Sequence, residues 1–150
     1  MNQNDLRMLA DTAGVTIKAC DDRILLYWEP NAPTYDERKV SLIYAFESGF
    51  QTSVSVEPML DAPNIDILIS ELLPYVTDAL WIGKMNHLGR LEKNADLAMK
   101  RAIVKVRYDQ TDSAIKSIYS RHRDNPMIKW KKEIKKVVGI PFANRNGMDM

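Results

Sequence analysis

Short runs of residues typical of β-strands alternate with helix-length periodic segments over the first 86 residues. This alternation constrains the fold more than any other feature of the sequence. The runs are residues 15–19 (VTIKA), 51–57 (QTSVSVE) and 79–84 (ALWIGK). Strands separated by a dozen or more residues of helical pattern pair in parallel through crossover helices. The sequence therefore predicts an α/β fold around a sheet of about three parallel strands.

The two segments between these runs carry the start and stop signals of helices. The first begins at Thr34 with Glu37 three residues later, which is a capping box, and it ends at Gly49. The second begins near Asp61, with Pro63 in its first turn, and stops at residue 74. Its apolar residues share one helix face, which we expect to be in the core: Ile65, Leu68, Ile69 and Leu72.

The central run, QTSVSVE, alternates strictly between polar and apolar residues, although a strand covered on both faces of a parallel sheet is normally apolar throughout. Val54 and Val56 can pack under the crossover helices, which leaves Ser53, Ser55 and Glu57 on the opposite face. The first run repeats this alternation. The polar face either lines a ligand cavity, as in the lumen of a barrel, or belongs to a partly open sheet with one hydrated face.

Beyond residue 86 the pattern becomes helical. One predicted helix face carries Leu91, Ala95, Ala98, Ala102 and Val106, and a second helix lies around residues 113–122. The last helix is predicted with Asn125 as cap and Pro126 at its first position. Its apolar stripe comprises Met127, Trp130, Ile134 and Val137.

Composition and motifs exclude several classes of protein. Cys20 is the single cysteine of the 150 residues, which excludes a disulfide framework and an all-cysteine metal or iron–sulfur site. His87 and His122 lack the spacing of metal ligands, and no P-loop or dinucleotide fingerprint is present. No apolar run approaches the ~20 residues of a membrane span, and the first residues do not resemble a signal peptide. We therefore expect a cytoplasmic protein with no membrane partner.

Charge is distributed unevenly between the two halves of the chain. The first 80 residues carry 5 Lys or Arg and 13 Asp or Glu, a net charge of −8, whereas residues 81–150 carry 16 and 7, a net charge of +9. Such a split is compatible with nucleic-acid binding, with attraction between the halves, or with solvated helix faces.

Three segments in order, WEPNAP (28–33), TSVSVEPMLD (52–61) and WIGKMN (81–86), resemble the radical SAM proteins. The resemblance is to the later half of their partial TIM barrel, in the branch that includes spore photoproduct lyase and DNA-repair-photolyase-like proteins, and it covers about residues 12–90. It implies an incomplete, half TIM-like barrel with crossover helices over residues 1–90. A helical, basic C-terminal extension, residues 91–150, is expected to pack on it.

Complete members of this family hold a 4Fe-4S cluster through a CxxxCxxC motif and cleave S-adenosylmethionine reductively to a deoxyadenosyl radical. This chain lacks that motif, and Cys20 stands alone. The resemblance therefore implies a C-terminal fragment that contributes part of the S-adenosylmethionine and substrate pocket without being catalytic alone. It also implies a partner, either the missing N-terminal half of the barrel or a second copy. The alternative is a non-enzymatic basic module that binds nucleic acid.

Within that pocket, the resemblance assigns no catalytic residue and no metal ligand but does imply contacts to cofactor or substrate. By their positions on and after the strands, the candidates are Thr16, Lys18, Ser55, Glu57, Lys84 and Asn86. Hydroxyl and carboxylate groups can hydrogen-bond a ribose, and a lysine can pair with a carboxylate. The structural alternatives are that Glu57 only caps the following turn and that Lys84 pairs with Asp78 or Glu57.

Overall fold

The computed structural model describes residues 12–142, and within them four parallel strands form one sheet. The strands are β1 (Thr12–Thr16), β2 (Gln51–Val56), β3 (Ala79–Ile82) and β4 (Ile128–Trp130). They lie side by side in the order in which they occur along the chain. The sheet is therefore wound in a single direction. The predicted α/β class with parallel strands is confirmed, with four strands rather than about three.

Seven helices accompany these strands in the described part of the chain. Two lie between β1 and β2, namely α1 (Asp22–Trp28) and α2 (Tyr35–Glu47). The 3-10 turn Ala62–Asn64 leads into α3 (Ile65–Leu72), which a second 3-10 turn, Leu73–Tyr75, follows. Between β3 and β4 lie α4 (Leu88–Glu92), α5 (Leu97–Asp109) and α6 (Asp112–His122), and α7 (Lys132–Val138) follows β4. None of these helices is long and apolar enough to cross a membrane.

The two predicted crossover helices form where their capping signals place them. In α2 the Thr34 hydroxyl accepts from the backbone N–H of Glu37, and the Glu37 carboxylate accepts from the backbone N–H of Thr34. Beyond its end, Gly49 adopts a φ of 85°, which glycine tolerates without strain. The predicted apolar face of α3 is buried as expected.

The two faces of the sheet differ in their surroundings. Val54, Val56, Leu80 and Ile82 are fully buried in the main core, in which residues of α2, α3, α5, α6 and α7 also take part. On the opposite face of β2, Ser53 and Ser55 are half-buried. The alternation of β2 thus distinguishes a helix-covered face from a polar face, as the sequence predicts.

The prediction for residues 125–138 is wrong, because a fourth strand precedes the last helix. Ile128 and Trp130 are buried and pair with β3, and α7 starts only at Lys132. A strand followed directly by a helix can present apolar residues at spacings that imitate one longer helix, and the proline in front strengthened that reading. Part of the segment predicted to be wholly helical therefore belongs to the sheet.

Two further boundaries differ from expectation. Strand β1 ends at Thr16, three residues earlier than predicted, although Ile17 is buried and Thr16 is exposed, as the alternation requires. The single helix face predicted from Leu91 to Val106 is wrong, because residues 93–96 separate α4 from α5 and Leu91 is 43% exposed. The Asp96 carboxylate caps α5 by accepting from the backbone N–H of Met99.

Candidate ligand-binding site at the strand ends

The strand register places four polar or aromatic residues in one row on the polar face. Thr16 pairs with Ser55, Ser55 with Trp81, and Trp81 with Lys129. Parallel strands that pair in register present paired side chains to the same face. Thr16 and Ser55, two of the predicted contact residues, therefore lie next to each other, and β3 and β4 extend the row.

A second row lies two residues further along, where the strands end. Continuing the register places Lys18, Glu57, Gly83 and Lys131 side by side. The ladder persists to this point, because the backbone N–H of Gly83 donates to Val56 O at 3.0 Å and that of Lys131 to Ile82 O at 2.8 Å. The carboxyl ends of parallel strands are where α/β proteins build binding sites. We refer to these two rows together as the strand-end site.

The Glu57 side chain extends over Gly83, just beyond the end of β3, and pairs with Lys131. Its Oε2 lies 3.4 Å from Lys131 Nζ, and the intervening residue is Gly83. A Cβ on Gly83 would lie 2.7 Å from Glu57 Cγ, which is closer than real contacts permit. The glycine therefore provides the space through which Glu57 pairs with Lys131, and the suggested pairing of Glu57 with Lys84 is not the one formed here.

We expect Gly83→Ala to destabilise the protein by about 1 kcal/mol, because the new methyl group displaces the Glu57 side chain from Lys131. The measurement is urea unfolding of both single variants and the double variant with Glu57→Ala. Removing the Glu57 side chain first should eliminate the cost of the alanine, since the two atoms in conflict are then no longer both present. An equal cost in both backgrounds would contradict the proposed contact.

A partly buried ionic network supports the β1 end of the site. Glu29 Oε1 lies 2.6 Å from Lys18 Nζ, and Arg38 donates to Glu29 Oε2 at 2.8 Å. The same guanidinium donates to the carbonyl oxygens of Pro33 and Thr16. Partial burial would raise the pKa of Glu29, but the hydrogen bonds from Lys18 and Arg38 outweigh burial and lower it. Lys18 is thus held at the strand end by an ionised partner.

The other two predicted contact residues lie in a different place. Lys84 and Asn86 line a polar cavity of about 530 Å³ after β3, together with His87 and Arg107. The Gln110 side chain shapes this cavity by accepting from the backbone N–H of Met85 and donating to its carbonyl. The cavity's residues do not include Thr16, Lys18, Ser55 or Glu57, so the six candidates divide into two groups.

The polar groups of the site fit one of the two cofactors that the resemblance implies and not the other. Hydroxyl, carboxylate and ammonium groups at the strand ends suit the ribose and amino-acid parts of S-adenosylmethionine. An iron–sulfur cluster does not fit, because Cys20 is the chain's one cysteine and partial burial raises the pKa of its thiol. Within residues 12–142, no three His, Cys, Asp or Glu side chains group as metal ligands.

No family model, curated protein or solved structure matches this chain. The relation to radical SAM proteins therefore rests on the three sequence segments alone and stays a prediction.

Many basic side chains of the second half are paired with acidic ones. Arg107 pairs with Glu92, Lys105 with Asp109, and Lys136 with Glu133. Asp66 pairs with both Arg121 and His122. His122 Nε2 lies 2.5 Å from Asp66 Oδ1. Burial would raise the pKa of Asp66, but its hydrogen bonds with His122 and Arg121 lower it. Pairs within the second half leave its net charge of +9 unchanged, whereas Asp66 and Glu57 bring in acidic groups from the first half. His122 lies at a contact between α6 and α3.

Sequence reasoning missed the residues that complete the strand-end site. Trp81 occurs in the WIGKMN segment without a predicted role, and the predicted last helix includes Lys129 and Lys131. Arg38 carried a usable signal, because it falls in the buried stripe of α2 with Tyr35 and Leu42. A charged residue at such a position needs hydrogen-bond acceptors, which Glu29 and the carbonyls of Pro33 and Thr16 provide.

Proposed function

We propose that this chain forms the later part of a radical-SAM-like barrel, contributes part of the S-adenosylmethionine and substrate pocket, and is not catalytic alone. The observation that carries the proposal is the sheet itself. Its strands are all parallel and in chain order, and its polar face presents Thr16 and Ser55 in one row. In a complete barrel this face would point into the lumen, and the strand ends would form the rim of the pocket.

Each residue of the site has a role that its chemistry allows. The hydroxyls of Thr16 and Ser55 can donate to or accept from a ribose. Lys18, held by Glu29, can pair with the carboxylate of the cofactor's amino-acid part. Glu57 can accept from ribose hydroxyls or from the cofactor's ammonium group. S-adenosylmethionine, when bound in a complete protein, supplies the reactive chemistry, whereas these residues orient it.

The proposal requires cluster cysteines from outside these 150 residues. We expect the partner to be the missing N-terminal part of the barrel, with a second copy of this chain as the alternative partner. Within residues 12–142 the sheet presents a polar face and two outer strands, β1 and β4, which leaves surface for such a partner.

The test is to read the coding DNA next to this chain for a CxxxCxxC segment and to produce both polypeptides together. We expect them to co-purify, and anaerobic reconstitution with iron and sulfide to yield a cluster and deoxyadenosine only when both are present. Ser55→Ala should weaken S-adenosylmethionine binding about tenfold, whereas Ser41→Ala, on the exposed surface of α2, should not. A stoichiometric cluster and deoxyadenosine from this chain alone, or the absence of any cysteine-bearing partner, would overturn the proposal.

A further inference from the structure

Two lysines of the β4 segment surround an aromatic ring on the polar face of the sheet. Lys131 Nζ lies 5.0 Å and Lys129 Nζ lies 5.6 Å from the centroid of the Trp81 ring. Attraction between a cation and the face of an aromatic ring restrains both ammonium groups. The two charges are therefore placed close together before any ligand arrives.

These charges are not balanced by the acidic groups around them. Lys131 pairs with Glu57 at 3.4 Å, whereas no carboxylate within residues 12–142 lies at ion-pair distance from Lys129. The group of Lys129, Lys131 and Glu57 thus has an excess of one positive charge. The Lys131 side chain is only 15% exposed, so water screens this charge less than it would on an open surface.

We infer that Lys129 and Lys131, held by Trp81, bind the phosphate group of a small phosphorylated molecule. A phosphate carries up to two negative charges and accepts hydrogen bonds from several directions, which suits two neighbouring ammonium groups. Ser55, which pairs with Trp81 in the register, adds a hydroxyl donor in the same row. The inference rests on the proposed function only in making this molecule the substrate that lies beside the cofactor.

The same phosphate chemistry occurs in nucleic acid strands, but the surroundings favour a small ligand. A single strand needs a continuous track of free basic side chains, usually with several stacking aromatics. The strand-end site instead offers two lysines beside a single aromatic ring, Trp81, which suits one phosphate group better than a strand of several nucleotides.

The experiment titrates the full chain at low salt with inorganic pyrophosphate, with phenyl phosphate and with a single-stranded oligonucleotide, using calorimetry. We expect both small phosphates to bind, and Lys129→Gln and Lys131→Gln each to weaken binding at least about tenfold. Lys116→Gln, an exposed lysine on α6, serves as the matched control and should leave binding unchanged.

The variant Glu57→Gln distinguishes phosphate binding by the lysines from a purely structural role, which predicts no change in pyrophosphate binding. Removing the competing carboxylate should strengthen pyrophosphate binding several-fold, although the proposed function expects the same variant to weaken binding of S-adenosylmethionine. The two ideas can therefore fail separately. Absence of phosphate binding, binding insensitive to both lysine variants, or tight binding of the oligonucleotide alone would overturn the inference.

Discussion

Replacing Arg38 with methionine is expected to lower the free energy of unfolding by about 2 kcal/mol, since Glu29 and two backbone carbonyls lose a charged donor while Lys18 still pairs with Glu29. The Arg38 side chain is 8% exposed and serves three acceptors, namely Glu29, the Pro33 carbonyl and the Thr16 carbonyl. Methionine fills the space but can donate to none of them. Urea unfolding at neutral pH measures the difference.

Arg23→Met is the matched control for Arg38. Arg23 also pairs with a carboxylate, that of Asp21, but its side chain is 92% exposed, so the change should stay within about 0.5 kcal/mol. Equal effects of the two variants would contradict the network.

The pH dependence of stability gives a second readout for Arg38. Since the pKa of Glu29 is lowered in the folded protein, its ionisation stabilises the fold above the unfolded pKa of about 4.3. This contribution is lost as the pH falls through the folded pKa. Without Arg38 the lowering is smaller, and the loss of stability between about pH 5 and 3 should be shallower.

Replacing Ile128 with alanine is expected to destabilise the protein by about 3 kcal/mol, the usual cost of a cavity at a buried aliphatic position. Ile128 is 5% exposed and pairs with Leu80 of β3. Chemical denaturation of the variant measures this cost.

The variant Met127→Ala, at the neighbouring position, distinguishes strand β4 from the helix that the periodicity predicts. In that helix Met127 lies on the apolar stripe and Ile128 does not, whereas in β4 Ile128 points into the core and Met127 is only partly buried. We therefore expect Met127→Ala to cost about 1 kcal/mol, well below Ile128→Ala. A larger loss of stability for Met127→Ala than for Ile128→Ala would rule out β4.

Local signals predicted the elements that local contacts stabilise. The capping box at Thr34 and the glycine at residue 49 delimit α2, and the alternation of β2 identifies which face is polar. Strand β4 could not be predicted, because three residues carry too little periodicity. Its pairing with β3 joins residues almost fifty positions apart, which local sequence does not indicate.

The site was predictable to the extent that it follows from strand register. Thr16 and Ser55 are neighbours because parallel strands align, so their grouping required no knowledge of side-chain contacts. The partners of Lys18 and Glu57 could not be found in this way. Glu29 approaches Lys18 from a loop, and Lys131 reaches Glu57 only because Gly83 lacks a side chain.

The single direction of winding has a consequence for how another polypeptide would be recruited. In the described part of the chain, β1 and β4 each have a strand neighbour on one flank only, so their main-chain amides and carbonyls on the other flank are open to further pairing. Recruitment by main-chain pairing depends little on side-chain identity. An associating subunit could therefore diverge widely in sequence and still extend the same sheet.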